Sequence, residues 1–151
     1  MQQNVDLIDL LNALNDERAE YLIVGAYAFA FHGRPRATSD VDIFVGSDPS
    51  NGEKVWRALV AFGAPLAELR PADLASSGIF YIMGRPPNQI DIITSIDGVT
   101  FEQAWATRVA STYADVPVWY IGRSELIANK KAAARPQDLA DVAYLESGSR
   151  G

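Results

Sequence analysis

Apolar positions along this chain follow two periods. Near the start, Val5, Leu7, Ile8, Leu10, Leu11 and Leu14 recur at helical spacing, which predicts an amphipathic helix beginning near Asn4 or Asp6. Short unbroken apolar runs then alternate with turn-forming residues, the pattern of buried strands. "YLIV" is ended by Gly25, and "VDIFV" follows the loop "GRPRATSD". Between them "AYAFAFHG" reads as a short helix that Gly33 closes. "SDPSNGEKVWRALVAFG" supplies a turn and then a helix ending near Gly63, and "RPADLASSG" a short helix or loop.

The second half pairs its strands locally. "IFYIMGRPPNQIDIITSI" holds two apolar runs joined by Gly84 to Asn88, and "RVASTYADVPVWYIG" two more around Ala114 and Asp115; both predict hairpins. "FEQAWA" is a helical turn. "RSELIANKKAAAR" is a helix with Ser124 as its expected cap, and Pro136 opens a last helix, "PQDLADVAYLE". "SGSRG" reads as a frayed tail. There is no repeat and no linker. The expectation is a single α+β domain over residues 1–151, with a mixed, mostly antiparallel sheet flanked by helices.

Composition narrows the function classes. The 151 residues are 48% hydrophobic and 21% charged, as in a globular domain. The absence of cysteine excludes disulfides and thiolate metal sites. A net charge of −6 argues against broad, non-specific nucleic-acid binding, which needs a large basic footprint. The N-terminus lacks a basic stretch followed by an apolar one, and no apolar run is long enough to span a bilayer, so a cytoplasmic protein without a membrane partner is expected. The three tryptophans and six tyrosines are spread through core-like runs, which assigns them to packing.

The carboxylates carry the candidate chemistry. Asp40 and Asp42 are alternate residues of one strand and therefore face one side, with Val41 and Ile43 on the other. Like charges that close raise each other's pKa unless a cation sits between them, and a hard divalent cation prefers oxygen ligands. Asp91 stands in a second apolar run, between Ile90 and Ile92, where an unpartnered aspartate is costly. If the two strands are neighbours, the three carboxylates form one cluster. On the phosphate side, Gly25 permits close backbone approach, and the amides that follow it, Ala26 first, open a helix that can receive phosphate oxygens. Arg34, Arg36, Thr38 and Ser39 precede the aspartates and offer donors suited to phosphate. His32 is either a general acid or base or a helix-end residue with a hydrogen-bonded ring.

Together, "VGAYAFAFHGRPRATSDVDIFV" and "IDIITSI" resemble the DNA polymerase beta-type nucleotidyltransferase superfamily. The likeness is to its small bacterial branch, which includes the nucleotidyltransferase toxins of abortive-infection and toxin–antitoxin systems. That branch carries a strand, Gly-Gly or Gly-Ser, a helix ending in His-Gly, and then Arg-x-Thr-x-Asp-Ile-Asp. Here these read Val24-Gly25-Ala26, His32-Gly33 and Arg36 to Asp42, and the likeness extends from about Tyr21 to Leu145. Ala26 departs from the pattern: it keeps the amide and lacks a serine hydroxyl.

The resemblance implies a nucleotidyltransferase fold and an enzyme that moves a nucleoside monophosphate from a nucleoside triphosphate to an acceptor hydroxyl, releasing pyrophosphate. The acceptor is RNA, a protein or a small molecule. Asp40, Asp42 and Asp91 would be both catalytic and metal-ligating, holding two magnesium ions, with manganese as a substitute. Gly25 would contact the nucleotide phosphates, and "NKKAAARPQDLADVAYL" is similar to a further stretch in which Lys130 or Lys131 reaches them, with Asp138 and Asp141 near the helix start beside Arg135. A cognate antitoxin is an implied partner. Two other readings stand beside this one: a non-catalytic nucleotide- or partner-binding module of the same fold, and a small acidic domain whose D-x-D only guards a strand edge.

Overall fold

The leucine spacing of the opening segment becomes α1 (Val5–Asp16) in the computed structural model, which describes residues 4–148. Asn4 caps it by accepting from the Leu7 N–H at 3.0 Å, and Leu7, Leu10, Leu11 and Leu14 are fully buried. β1 (Tyr21–Val24) is buried throughout and runs directly into α2 (Gly25–His32), which Gly33 closes. β2 (Asp40–Val45) follows the arginine loop. α3 (Pro49–Phe62) has proline in its first turn, the Asp48 carboxylate on the Asn51 N–H, and Gly63 in the left-handed region after its end. After a 3₁₀ turn (Pro71–Ala75) come the hairpin of β3 (Phe80–Met83) and β4 (Gln89–Ile93), α4 (Phe101–Ala106), and the hairpin of β5 (Val109–Tyr113) and β6 (Val116–Tyr120). Ala114 and Asp115 both have positive φ, as a two-residue turn matching strand twist requires.

α5 (Arg123–Ala133) and α6 (Pro136–Gly148) complete the domain. Ser124 is not the cap of α5. Gly122 takes that position, because a Cβ there would lie 2.8 Å from the Thr107 carbonyl oxygen and the chain passes too close for a side chain. α6 continues through Ser147 and Gly148, so part of the expected tail is helical; residues 149–151 lie outside the described residues. No helix among the described residues is long and apolar enough to cross a membrane.

The sheet is open, with strand order β3-β4-β2-β1-β6-β5. Pairings β1–β2, β3–β4 and β5–β6 are antiparallel, while β2–β4 and β1–β6 are parallel. The expected mixed, mostly antiparallel sheet in a single α+β domain is what forms. The parallel β2–β4 pairing decides the site, because it sets Asp42 opposite Asp91 and Asp40 opposite Gln89.

A buried asparagine locks the far end of the central strands. The Asn51 side chain accepts from the Glu20 N–H at 2.7 Å and donates to the carbonyls of Glu20 at 3.0 Å and Gly46 at 2.8 Å. It ties the entrance of β1, the exit of β2 and the start of α3 together. Asn51→Ala leaves the Glu20 N–H and the Gly46 carbonyl without this partner, while the Glu20 carbonyl keeps the Gly46 N–H at 3.3 Å, and it is expected to cost about 2–4 kcal/mol. Urea denaturation checks this; a loss under about 1 kcal/mol would mean that water replaces the amide.

Candidate metal centre

β2 and β4 lie side by side, so the alternation of each strand projects its carboxylates into one space. Oxygens of Asp40, Asp42 and Asp91 all lie within 4.8 Å of one another. Asp91 is 2% exposed, and Asp40 and Asp42 are half-buried. Phe44, two residues beyond Asp42 on the same face, meets Phe101 edge-on at 5.1 Å, so α4 closes one end of this face and leaves the acidic end clear of it. Gln89, also on that face, donates to Asp91 Oδ1 at 2.8 Å. The Thr38 hydroxyl lies 3.0 Å from the Asp40 carbonyl oxygen and 3.3 Å from its carboxylate.

Gly25 closes the cluster from the β1 side. It has a φ of +65°, and a Cβ built on it would sit 2.4 Å from Asp42 Oδ2. The sequence assigns this glycine to close approach by a phosphate; the structure adds a carboxylate that needs the same space. Val24 is the register partner of Asp42, so the glycine follows directly from that pairing.

No lysine, arginine or histidine forms an ion pair with any of these three carboxylates among the described residues. Burial, and then the neighbouring carboxylates, push Asp42 up to about 7. Asp40 is raised by burial first and then by the charge of Asp91. Buried oxygens and mutual repulsion, opposed at Asp42 only by the more distant charge of Arg135, form a donor set that suits a hard divalent ion.

The arginines and the lysine expected at the phosphates are placed differently. Arg36 reaches away from Asp40 and Asp42 and grips both carboxylate oxygens of Asp141, one of them at 2.9 Å, with its guanidinium 4.0 Å above the Phe29 ring. Lys130 is 6% exposed, with its Nζ 2.8 Å from Asp141 and 3.6 Å from Asp138. Gln137 adds a bond to Asp141 at 2.9 Å, and Arg135 binds Asp138 at 2.6 Å as the sequence suggests. Burial opposes the charge of Asp141, yet the bonds from Arg36, Lys130 and Gln137 outweigh it and hold the carboxyl below the usual range; Arg135 does the same for Asp138 against burial. Arg34 is exposed over the Tyr144 ring at 4.5 Å, and Ser39 is exposed. Ala26 is half-buried in the first turn of α2. His32 Nε2 lies 2.7 Å from the Ile121 carbonyl oxygen, so that nitrogen donates and the ring is the hydrogen-bonded helix end.

The structure therefore brings together Gly25, Thr38, Asp40, Asp42 and Asp91, and gathers Arg36 and Lys130 around a second pair of aspartates. Gln89 was missed from sequence; its signal is its place two residues before Asp91 on one strand face. No protein-family model matches the chain, and a search of curated proteins finds no relative.

A pH dependence follows from Asp42. Its carboxyl is about 7 folded and near 4 unfolded, so between those values the folded chain holds a proton that the unfolded chain has lost. In chelator, the contribution of Asp42 to stability is fully present below the unfolded value and is lost as pH rises from about 4 to about 7. Asp42→Asn is expected to flatten that fall in the melting temperature. A metal-free wild type that gains stability across the window would contradict it.

Proposed function

We propose that this protein is a divalent-cation-dependent nucleotidyltransferase. The observation that supports it is a contrast between two groups of buried aspartates. Asp138 and Asp141 are matched by Arg36, Lys130 and Arg135, whereas Asp40, Asp42 and Asp91 form no ion pair among the described residues. The chain pairs its buried carboxylates where pairing is structural and leaves three converging ones unpaired beside a glycine turn.

On this reading Asp40, Asp42 and Asp91 would hold magnesium, whose charge would offset that of the triphosphate and lower the pKa of an acceptor hydroxyl. The acceptor oxygen forms a bond to the α-phosphorus, the bond to the bridging oxygen breaks, and pyrophosphate leaves with that electron pair. The hydroxyl proton passes to Asp91, whose buried carboxylate is held by Gln89, and from there to solvent. The Gly25 turn and the amides of the first turn of α2 face the phosphates. Lys130 and Arg36 act behind this layer by fixing α5, α6 and the 34–38 loop, unless a triphosphate draws them from Asp141.

That engagement of both cations, with Ala26 in the glycine turn, favours a second reading: a module that binds nucleotide without turning it over. A thermal-shift titration with magnesium and each ribonucleoside triphosphate tests both. On either reading the melting temperature rises with magnesium and one or more nucleotides in wild type and not in Asp40→Asn/Asp42→Asn. Absence of any shift sinks both. A shift without pyrophosphate release selects the second.

A further inference from the structure

A cleft of about 760 Å³ opens beside the carboxylates, between the start of α1, the outer side of α2, the 34–38 loop and the tips of both hairpins. Its volume is that of a small-molecule site. Its walls are aromatic: Tyr27 and Phe31 from α2, Tyr113 from β5 and Tyr120 from β6. Phe31 and Tyr120 stack face to face with centroids 4.2 Å apart and planes 1° from parallel, and Tyr27 and Tyr113 lie 6.0 Å apart. The Asn4 N–H donates to the Tyr113 hydroxyl at 3.0 Å and fixes that ring. Phe31 is 40% exposed and Val5, on the opposite lip, is 66% exposed. Phe31, backed by the buried Tyr120, leaves one flat ring open to solvent on a rigid wall, and such a ring invites another to stack.

The cleft joins the metal centre at one particular end. Thr38, which lines it, bonds Asp40, and Asn88, which also lines it, directly precedes the Gln89 that holds Asp91. Gly25 meets the cluster at Asp42, and Tyr27 and Ala30 of the helix it opens line the cleft. If phosphates lie at the glycine turn, the cleft is where the second substrate approaches. Among the described residues Arg36 is the only cation lining it and is committed to Asp141, so a phosphate backbone finds little there.

We infer that this cleft is the acceptor site, and that the acceptor is a small molecule carrying a flat aromatic or heteroaromatic ring and a hydroxyl group. The inference rests on the nucleotidyl-transfer reading. Adenosine and tyrosol serve as fused-ring and single-ring probes, followed by calorimetry and ligand-observed NMR in chelator. At least one is expected to bind wild type and, equally, Asp40→Asn/Asp42→Asn, which leaves the rings in place. Phe31→Leu removes an exposed ring at similar volume, and Val5→Trp fills the lip; each is expected to weaken binding about tenfold or more. Circular dichroism verifies that both fold.

With magnesium and a triphosphate, the bound probe is expected to gain one nucleoside monophosphate by mass spectrometry. No binding of either probe at millimolar concentration, or binding that both variants leave intact, overturns the cleft assignment even if magnesium–triphosphate binds. Probe binding with no magnesium–triphosphate shift overturns the acceptor role together with the transfer reading. A short single-stranded oligoribonucleotide that binds more tightly than either probe, and loses that binding in Val5→Trp, overturns the small-molecule assignment.

Discussion

Asp91→Asn is expected to lower transfer at least ~10³-fold while leaving the metal-free protein as stable as wild type or more so. On the transfer reading the two effects have opposite signs, because the residue would serve the reaction at a cost to the fold. In the metal-free chain Asp91 lies within 4.8 Å of two further carboxylates and is 2% exposed. Two full charges at that separation repel by about 3 kcal/mol at an effective dielectric of about 20. Asparagine keeps the shape and can still bond Gln89 while removing a charge. On the same reading a bound divalent ion would reverse the balance, since it would use all three oxygens and transfer would need a proton acceptor. The measurements are magnesium-dependent pyrophosphate release from a triphosphate, with a ring-bearing alcohol or water as acceptor, and urea denaturation in chelator at pH 8. Transfer within about tenfold of wild type would remove Asp91 from the mechanism. Loss of transfer with an equal loss of stability would make it a structural residue.

The sequence made the strands legible because each is a short apolar run ended by glycine, proline or a charged turn. It made the facing of Asp40 and Asp42 legible because alternation is local. Whether Asp91 joins them depends on strand neighbours, and no local pattern sets the parallel register of β2 and β4. Arg36 shows the limit more sharply. Two residues from Thr38 and four from Asp40, it reads as a phosphate ligand, yet its partner Asp141 lies 105 residues away on α6. Lys130, which the resemblance sends to the phosphates, is buried, because α2, α5 and α6 converge on Phe29 and enclose it. The aromatic cleft was read as core for a related reason: its rings come from three separate segments, each of which looks like packing on its own.

The two aspartate groups divide the work of one small domain. The matched group fixes the helices that back the arginine loop, so the loop's direction is set before any ligand arrives. Removing one partner of such a buried pair strands the other charge, which costs more than the pair contributes. The unmatched group does the reverse: its mutual repulsion costs stability, which a bound cation would restore. A domain this small can carry three converging carboxylates because β1, β2 and β4 are central strands, and their buried opposite face supplies the apolar contacts that offset the repulsion.

Gly25→Ala tests that arrangement from the backbone side, and it is expected to cost about 1–3 kcal/mol of stability and at least ~10-fold in magnesium affinity. The stability term has two sources. A φ of +65° is one that an L side chain adopts with strain, and the new methyl would sit 2.4 Å from Asp42 Oδ2. Asp42 is short and mounted on a buried strand, so it can relieve the contact only by turning its carboxylate away from Asp40 and Asp91. The affinity term follows, because a cation that loses one of three oxygens loses a large part of its binding. Ala26→Gly is the matched control. Ala26 does not have a positive φ, so its change carries only the helix-propensity cost of about 1 kcal/mol. Calorimetric magnesium titration and urea denaturation of both variants separate the terms. If Gly25→Ala loses stability and binds magnesium as wild type does, the glycine serves the turn alone, and the close approach of Asp42 has no part in holding the ion.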